Sequence, residues 1–124
     1  MLAPAELKYQ RENTLAFIMS NPTWLTLIPR TKVKDGTGTR FVDQPPRGAQ
    51  QLRLIDQSTA RNTIPGMIQT SDGRERLADF ILLGTHDAEI ELWDYWVDAT
   101  GTLEVAQMFP WNQYEVRAAV VRRA

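Results

Sequence analysis

The chain contains no cysteine. That absence excludes thiol nucleophiles, zinc–cysteine sites and a disulfide framework together, so 124 residues must hold their fold by packing alone. Histidine occurs once, at His86 in the turn Gly84-Thr85-His86-Asp87. A metal centre or an imidazole-based acid–base pair needs convergent partners, and adjacent Asp87 points away from His86 in an extended stretch. A structural role in the turn is therefore expected. No apolar run is long enough to cross a bilayer. The N-terminus, MLAPAELKYQRE, is charged by Glu6 and Lys8 and lacks the apolar segment of a secretion signal, so the chain reads as soluble and unprocessed, with no membrane partner. Neither a Walker A motif nor a Gly-x-Ser-x-Gly motif is present, and Gly36-x-Gly38 lacks the third glycine and flanking elements of a nucleotide loop. The acids Asp87, Glu89, Glu91, Asp94 and Asp98 have no spacing that demands a metal or a catalytic carboxylate pair. The sequence reads as a non-enzyme with no catalytic residue, cofactor or metal site.

What is present is ordinary for a globular protein: 43% hydrophobic and 23% charged residues, enough for a packed core rather than wholesale disorder. Residues 1–124 are expected to form one domain, with a helix and arm over 1–22 and a β-barrel over 23–124. Ala5 to Met19 is rich in helix formers behind Pro4, and Ser20-Asn21-Pro22 ends it. Strands are predicted at Thr23–Ile28, Gln51–Asp56, Asn62–Thr70, Arg76–Leu83, Glu89–Trp93, Leu103–Met108 and Tyr114–Val121, each bounded by turn residues. Short strands at this spacing suggest a small antiparallel barrel or sandwich, mainly β in class. A long polar segment, about 30–50, is inserted. Its Asp35-Gly36 turn predicts a hairpin-like excursion from Lys32-Val33-Lys34 to Thr39-Arg40-Phe41-Val42, kept out of the main sheet by Pro45-Pro46.

A net charge of −1 conceals a division. Residues 30–61 carry seven basic and three acidic side chains, whereas residues 62–124 carry five basic and ten acidic ones. Such polarity suits docking of complementary surfaces. Aromatics crowd the last third: Trp93, Tyr95, Trp96, Phe109, Trp111 and Tyr114. Aromatics are over-represented at protein interfaces, which makes Trp93, Tyr95, Trp96, Phe109 and Trp111 interface candidates, although Trp93 or Trp96 also suits a core. Trp111, between Pro110 and Asn112, suits a core least.

The stretch Phe80-Ile81-Leu82-Leu83-Gly84-Thr85-His86-Asp87-Ala88-Glu89-Ile90-Glu91-Leu92-Trp93-Asp94-Tyr95-Trp96, a Thr-Gly turn, and Tyr114-Glu115-Val116-Arg117-Ala118 follow one another in a recognisable order. In that order they resemble the head-closure proteins of tailed bacteriophages, also called neck or head-to-tail stopper proteins. Asn21-Pro22 before Trp24–Pro29, and Arg47-x-x-Gln50-x-x-Arg53-Leu54-Ile55, resemble versions from phages of actinobacteria. One departure is Trp93, where the family commonly places a glycine before the second aspartate.

The resemblance implies a virion structural protein made in the host cytoplasm. It would form a ring of six or twelve identical subunits in the neck, between a portal-side adaptor and the tail terminator or tail tube. It would retain packaged double-stranded DNA and dock the tail. Lys32, Lys34, Arg40 and Arg47 then become candidates for facing the channel and its phosphates. The alternatives are a tail terminator or other neck protein, or a small nucleic-acid-binding barrel.

Overall fold

Two successive Asp-x-Thr-Gly sequences organise the strands around them. In Asp35-Gly36-Thr37-Gly38 the Asp35 carboxylate accepts hydrogen bonds from the N–H and hydroxyl of Thr37, at 2.9 and 2.7 Å. Asp98-Ala99-Thr100-Gly101 repeats this through Thr100, at 2.7 and 2.6 Å. Each closing glycine takes a positive φ, 137° at Gly38 and 124° at Gly101, which side chains with a Cβ adopt poorly. Both turns therefore end in a position suited to glycine.

The computed structural model describes residues 2–56, 67–71 and 73–123. Helix α1 (Pro4–Ser20) is followed by β1 (Thr23–Leu25), β2 (Arg30–Asp35), β3 (Gly38–Asp43) and β4 (Gln50–Asp56). Then come β5 (Met67–Gln69), β6 (Glu75–Leu77), β7 (Phe80–Thr85), β8 (Tyr95–Asp98), β9 (Gly101–Met108) and β10 (Glu115–Arg123). Six strands form one antiparallel sheet in the order β1-β4-β7-β10-β9-β8. An isolated bridge between Ile28 and Tyr95 joins its two ends, so the sheet is nearly closed into a barrel. The protein is mainly β, with the N-terminal helix and the hairpin β2–β3 as additions.

Alternation along the strands fills the barrel. Leu52, Leu82, Leu103, Val105, Ala118 and Val120 are buried together with Leu25, Leu27, Ile90 and Trp96. Burying each of the larger of these side chains contributes about 1.5–3 kcal/mol. Gly84 marks the tightest approach in this wall, because a Cβ there would lie 2.4 Å from that of Ala88. The outside is also covered. Ile68 and Ala78 pack with Ala106, Ala119 and Val121, and Trp93 and Phe109 flank them. The helix lies against β7 and β4 and buries only Thr14 and Ile18.

Several sequence expectations need correction. Arg76–Leu83 is two strands, because Asp79 breaks the run and its Oδ2 accepts hydrogen bonds from the Arg122 N–H and the Arg76 side chain. Glu89–Trp93 forms no strand. The Asp94 carboxylate accepts from the Glu91 N–H, Asp94 N–H bonds back to the Glu91 carbonyl, and the chain turns. Ile90 is consequently buried and Leu92 exposed, although alternation puts them on one face. Thr23–Ile28 is a three-residue strand plus the bridge at Ile28, and β8 begins where no strand was expected. Of the run Asn62–Thr70, residues 62–66 lie outside the described residues, and 67–69 form β5.

Candidate interaction surfaces of the hairpin and the barrel seam

The hairpin stands on the barrel through its first residue. Arg30 Nη2 donates to Glu104 Oε2 at 2.6 Å and Arg30 Nε donates to the Trp93 carbonyl at 2.7 Å. Its guanidinium also lies over the rings of Phe41 and Tyr95. The second carboxylate oxygen of Glu104 accepts the Ser71 N–H. The Arg30 and Glu104 side chains are only 6% and 0% exposed, so this is a buried ion pair in which both carboxylate oxygens accept a hydrogen bond. The Tyr95 hydroxyl donates to Asp43, the last residue of β3, and that hydrogen bond raises the Tyr95 pKa above its ordinary value.

The segment after β3 is fixed in a similar way. Gln44 and Arg47 donate their N–H groups to the carbonyls of Pro29 and Leu27. Arg47 Nε and Nη2 then reach Asp94 at 2.8 and 3.2 Å, with Glu91 at 3.5 Å. The bonds to Asp94 hold the guanidinium above its ordinary pKa. Asp94 itself is buried.

Lys32, Lys34, Arg40 and Arg47 lie in one segment of the sequence, and the structure separates them. Register places Lys32 opposite Phe41 and Lys34 opposite Thr39, on the ribbon face that begins with Arg30. Arg40 lies opposite Val33 on the other face and pairs with Asp35 at 3.2 Å. Arg47 is turned into the barrel wall and does not project. Lys32 and Lys34 are exposed on one ribbon face, and Arg40 is exposed on the other beside Asp35. Part of the charge division is neutralised within the chain, since Arg30 and Arg47 meet Glu104, Asp94 and Glu91 across it.

The aromatic candidates also divide. Trp96 is buried in the barrel core and adds little to any surface. Trp93 is half-buried and makes an edge-type ring contact with Phe41, 5.7 Å between centroids. Phe109 packs on the outer apolar cluster and Tyr95 on Arg30. Trp111 is 61% exposed.

A second exposed surface escaped the sequence reading. Trp24 and Val97 are 64% and 66% exposed and line a shallow groove at the barrel seam with Ile28, Pro46 and Trp96. The signal was available in Trp24 but not in Val97, which sits in a run with no distinctive pattern. The turn that carries Leu92 completes the picture. Trp93 there has φ 74°, a left-handed conformation that costs a bulky residue of order ~1–3 kcal/mol.

His86 lines a groove with Leu7, Arg11, Leu15 and Asp87 under the helix. Asp87 accepts from the Thr85 hydroxyl, and that bond lowers its pKa. Among the described residues no group of three or more His, Asp or Glu side chains is placed to hold a metal ion, and no helix is long and apolar enough to cross a membrane. Comparison with family models, curated proteins and solved structures finds no match for this chain.

Proposed function

We propose that this protein is a head-closure component of a tailed-phage neck, acting through contacts and not through catalysis. The observation that carries the reading is the backbone at Trp93. The resembled family commonly places glycine at this position, and its φ of 74° is the conformation for which glycine is used. A left-handed backbone at the place of the family's glycine supports this reading, although the residue itself departs from the family.

Surface chemistry adds support. Ring subunits make head-to-tail contacts between two different patches. The exposed Trp24–Val97 seam, exposed Trp111 and the helix side chains Leu15 and Met19 offer apolar area at separate places. Lys32 and Lys34, on the projecting hairpin, suit a phosphate-lined path or an acidic neighbour. The partners in this reading are identical subunits, a portal-side adaptor, the tail terminator or tail tube, and packaged DNA. The rival reading, a free nucleic-acid-binding barrel, needs aromatic faces beside the cations. Phe41 is the aromatic on that face, and its ring is taken by Arg30 and Trp93.

The test is made in the phage that encodes the chain. Antibody against the protein should label the head–tail junction of virions. Particles lacking the protein should lose DNA and carry no tails. Normal tailed, DNA-filled particles without it would overturn the proposal. Lys32→Ala/Lys34→Ala should leave the fold intact and lower DNA retention. Tight, steeply salt-dependent binding of the isolated chain to DNA would favour the rival instead.

A further inference from the structure

Two arginines reach from the two roots of the hairpin to successive residues of a single turn. Arg30 begins β2 and donates to the Trp93 carbonyl, while Arg47, beyond β3, donates to the Asp94 carboxylate. The turn they grip is held against the preference of its own sequence, because a tryptophan stands at φ 74°. Three contacts hold that residue. Its N–H bonds to the Val105 carbonyl at 2.9 Å, its carbonyl accepts from Arg30, and its ring makes an edge-type contact with that of Phe41. The last two are supplied by the hairpin.

We propose that the β2–β3 hairpin and the turn 89–94 form one coupled conformational unit. With the hairpin seated, Trp93 stays left-handed and Leu92 is presented to solvent. When a partner draws the hairpin off the barrel, Arg30 and Phe41 leave Trp93. The backbone relaxes out of the strained region, and the surface around Leu92 changes. Coupling of this kind is reciprocal, so anything that holds the turn also holds the hairpin. The charged and titratable groups at the junction are Arg30, Asp43, Arg47, Glu91, Asp94, Tyr95 and Glu104, and those other than Glu91 are joined by direct hydrogen bonds to the hairpin roots or the turn. This inference stands apart from the neck assignment, since it requires only that something engages the hairpin.

Residue-resolved amide hydrogen exchange tests it. The double variant Arg30→Met/Glu104→Met removes the guanidinium without leaving a buried charge unpaired. The Trp93 and Asp94 amides should then exchange about tenfold faster or more, while amides of β7 and β10 keep their protection. Unchanged protection in the turn overturns the coupling. So does a loss shared equally with β7 and β10, because that reports global loosening. A second variant, Asp94→Asn, loosens the turn together with its bond to Arg47 and should speed exchange along the β2–β3 ladder. Wild-type protection of the hairpin in that variant is equally fatal, and this arm decides the matter if the double variant does not fold.

Discussion

The root and the tip of the hairpin each carry an arginine–carboxylate pair, and the two pairs have opposite settings. At the root, Arg30 and Glu104 are 6% and 0% exposed and 2.6 Å apart. At the tip, Arg40 and Asp35 are 65% and 40% exposed and 3.2 Å apart. The same two chemical groups therefore do different things. In water the attraction is screened and the side chains give up rotamer freedom, so an exposed pair contributes little. In the wall of the barrel both ions have lost their hydration, and each depends on the other. The hairpin is anchored by the pair that water does not reach.

The largest effect is expected when one partner at the root is removed. Glu104→Ala leaves the Arg30 guanidinium buried beside a cavity, and about 3–5 kcal/mol of stability should be lost in urea unfolding. If that loss is no larger than the effect of removing Asp35, burial does not distinguish the pairs. A smaller change is expected when both root partners are replaced. Arg30→Met/Glu104→Met substitutes apolar length for charge, and its global stability should stay within about 2 kcal/mol of wild type, since a well-packed apolar pair often matches a buried ion pair. A loss as large as that of Glu104→Ala would mean that the site depends on its hydrogen bonds to Trp93 and Ser71 and not on charge balance.

What the sequence revealed follows the range of the interactions involved. Pro4 and Asn21-Pro22 bound the helix by local sterics, and both Asp-x-Thr-Gly turns close within four residues, so helix and hairpin were readable. The alternation in Leu103–Met108 was readable too, but the role of Glu104 was not. Its partner stands 74 residues away, and a glutamate between apolar neighbours looks like part of a solvated face. The period-2 pattern Glu89-Ile90-Glu91-Leu92-Trp93 suits a strand equally well. Only the Asp94 side chain, reaching back to Glu91, makes it a turn. For the surface, sequence could collect basic residues into one loop but could not distinguish the exposed Lys32 and Lys34 from Arg47, which the barrel wall claims. Trp96 and Trp111 are likewise alike until the barrel closes around one of them.

The tip itself should be far less sensitive. Asp35→Ala removes the partner of Arg40 and the cap of the turn, yet both groups are exposed, and the fall in urea midpoint should be small beside that of Glu104→Ala. A comparable fall would show that the tip contributes to anchoring after all, and the contrast with the root would narrow.

The finest distinction is between two tips of the same design. The carboxyls of Asp35 and Asp98 are both held below their ordinary pKa, chiefly by the side-chain hydrogen bonds from Thr37 and Thr100. Because the folded-state values lie below the unfolded ones, the contribution of each turn is complete above the ordinary carboxylate range. It fades as pH falls through that range towards the depressed folded value. Thr37→Val removes one hydroxyl and keeps the shape of the side chain. In a carbonyl-carbon NMR titration the Asp35 midpoint should then move up towards the ordinary value, while that of Asp98 stays where it is. Arg40 also lowers the Asp35 value, but as a lesser cause than Thr37. An Asp35 midpoint unmoved by Thr37→Val would therefore transfer the effect from the turn to the exposed ion pair. The hairpin tip would then resemble its root more closely than its exposure suggests.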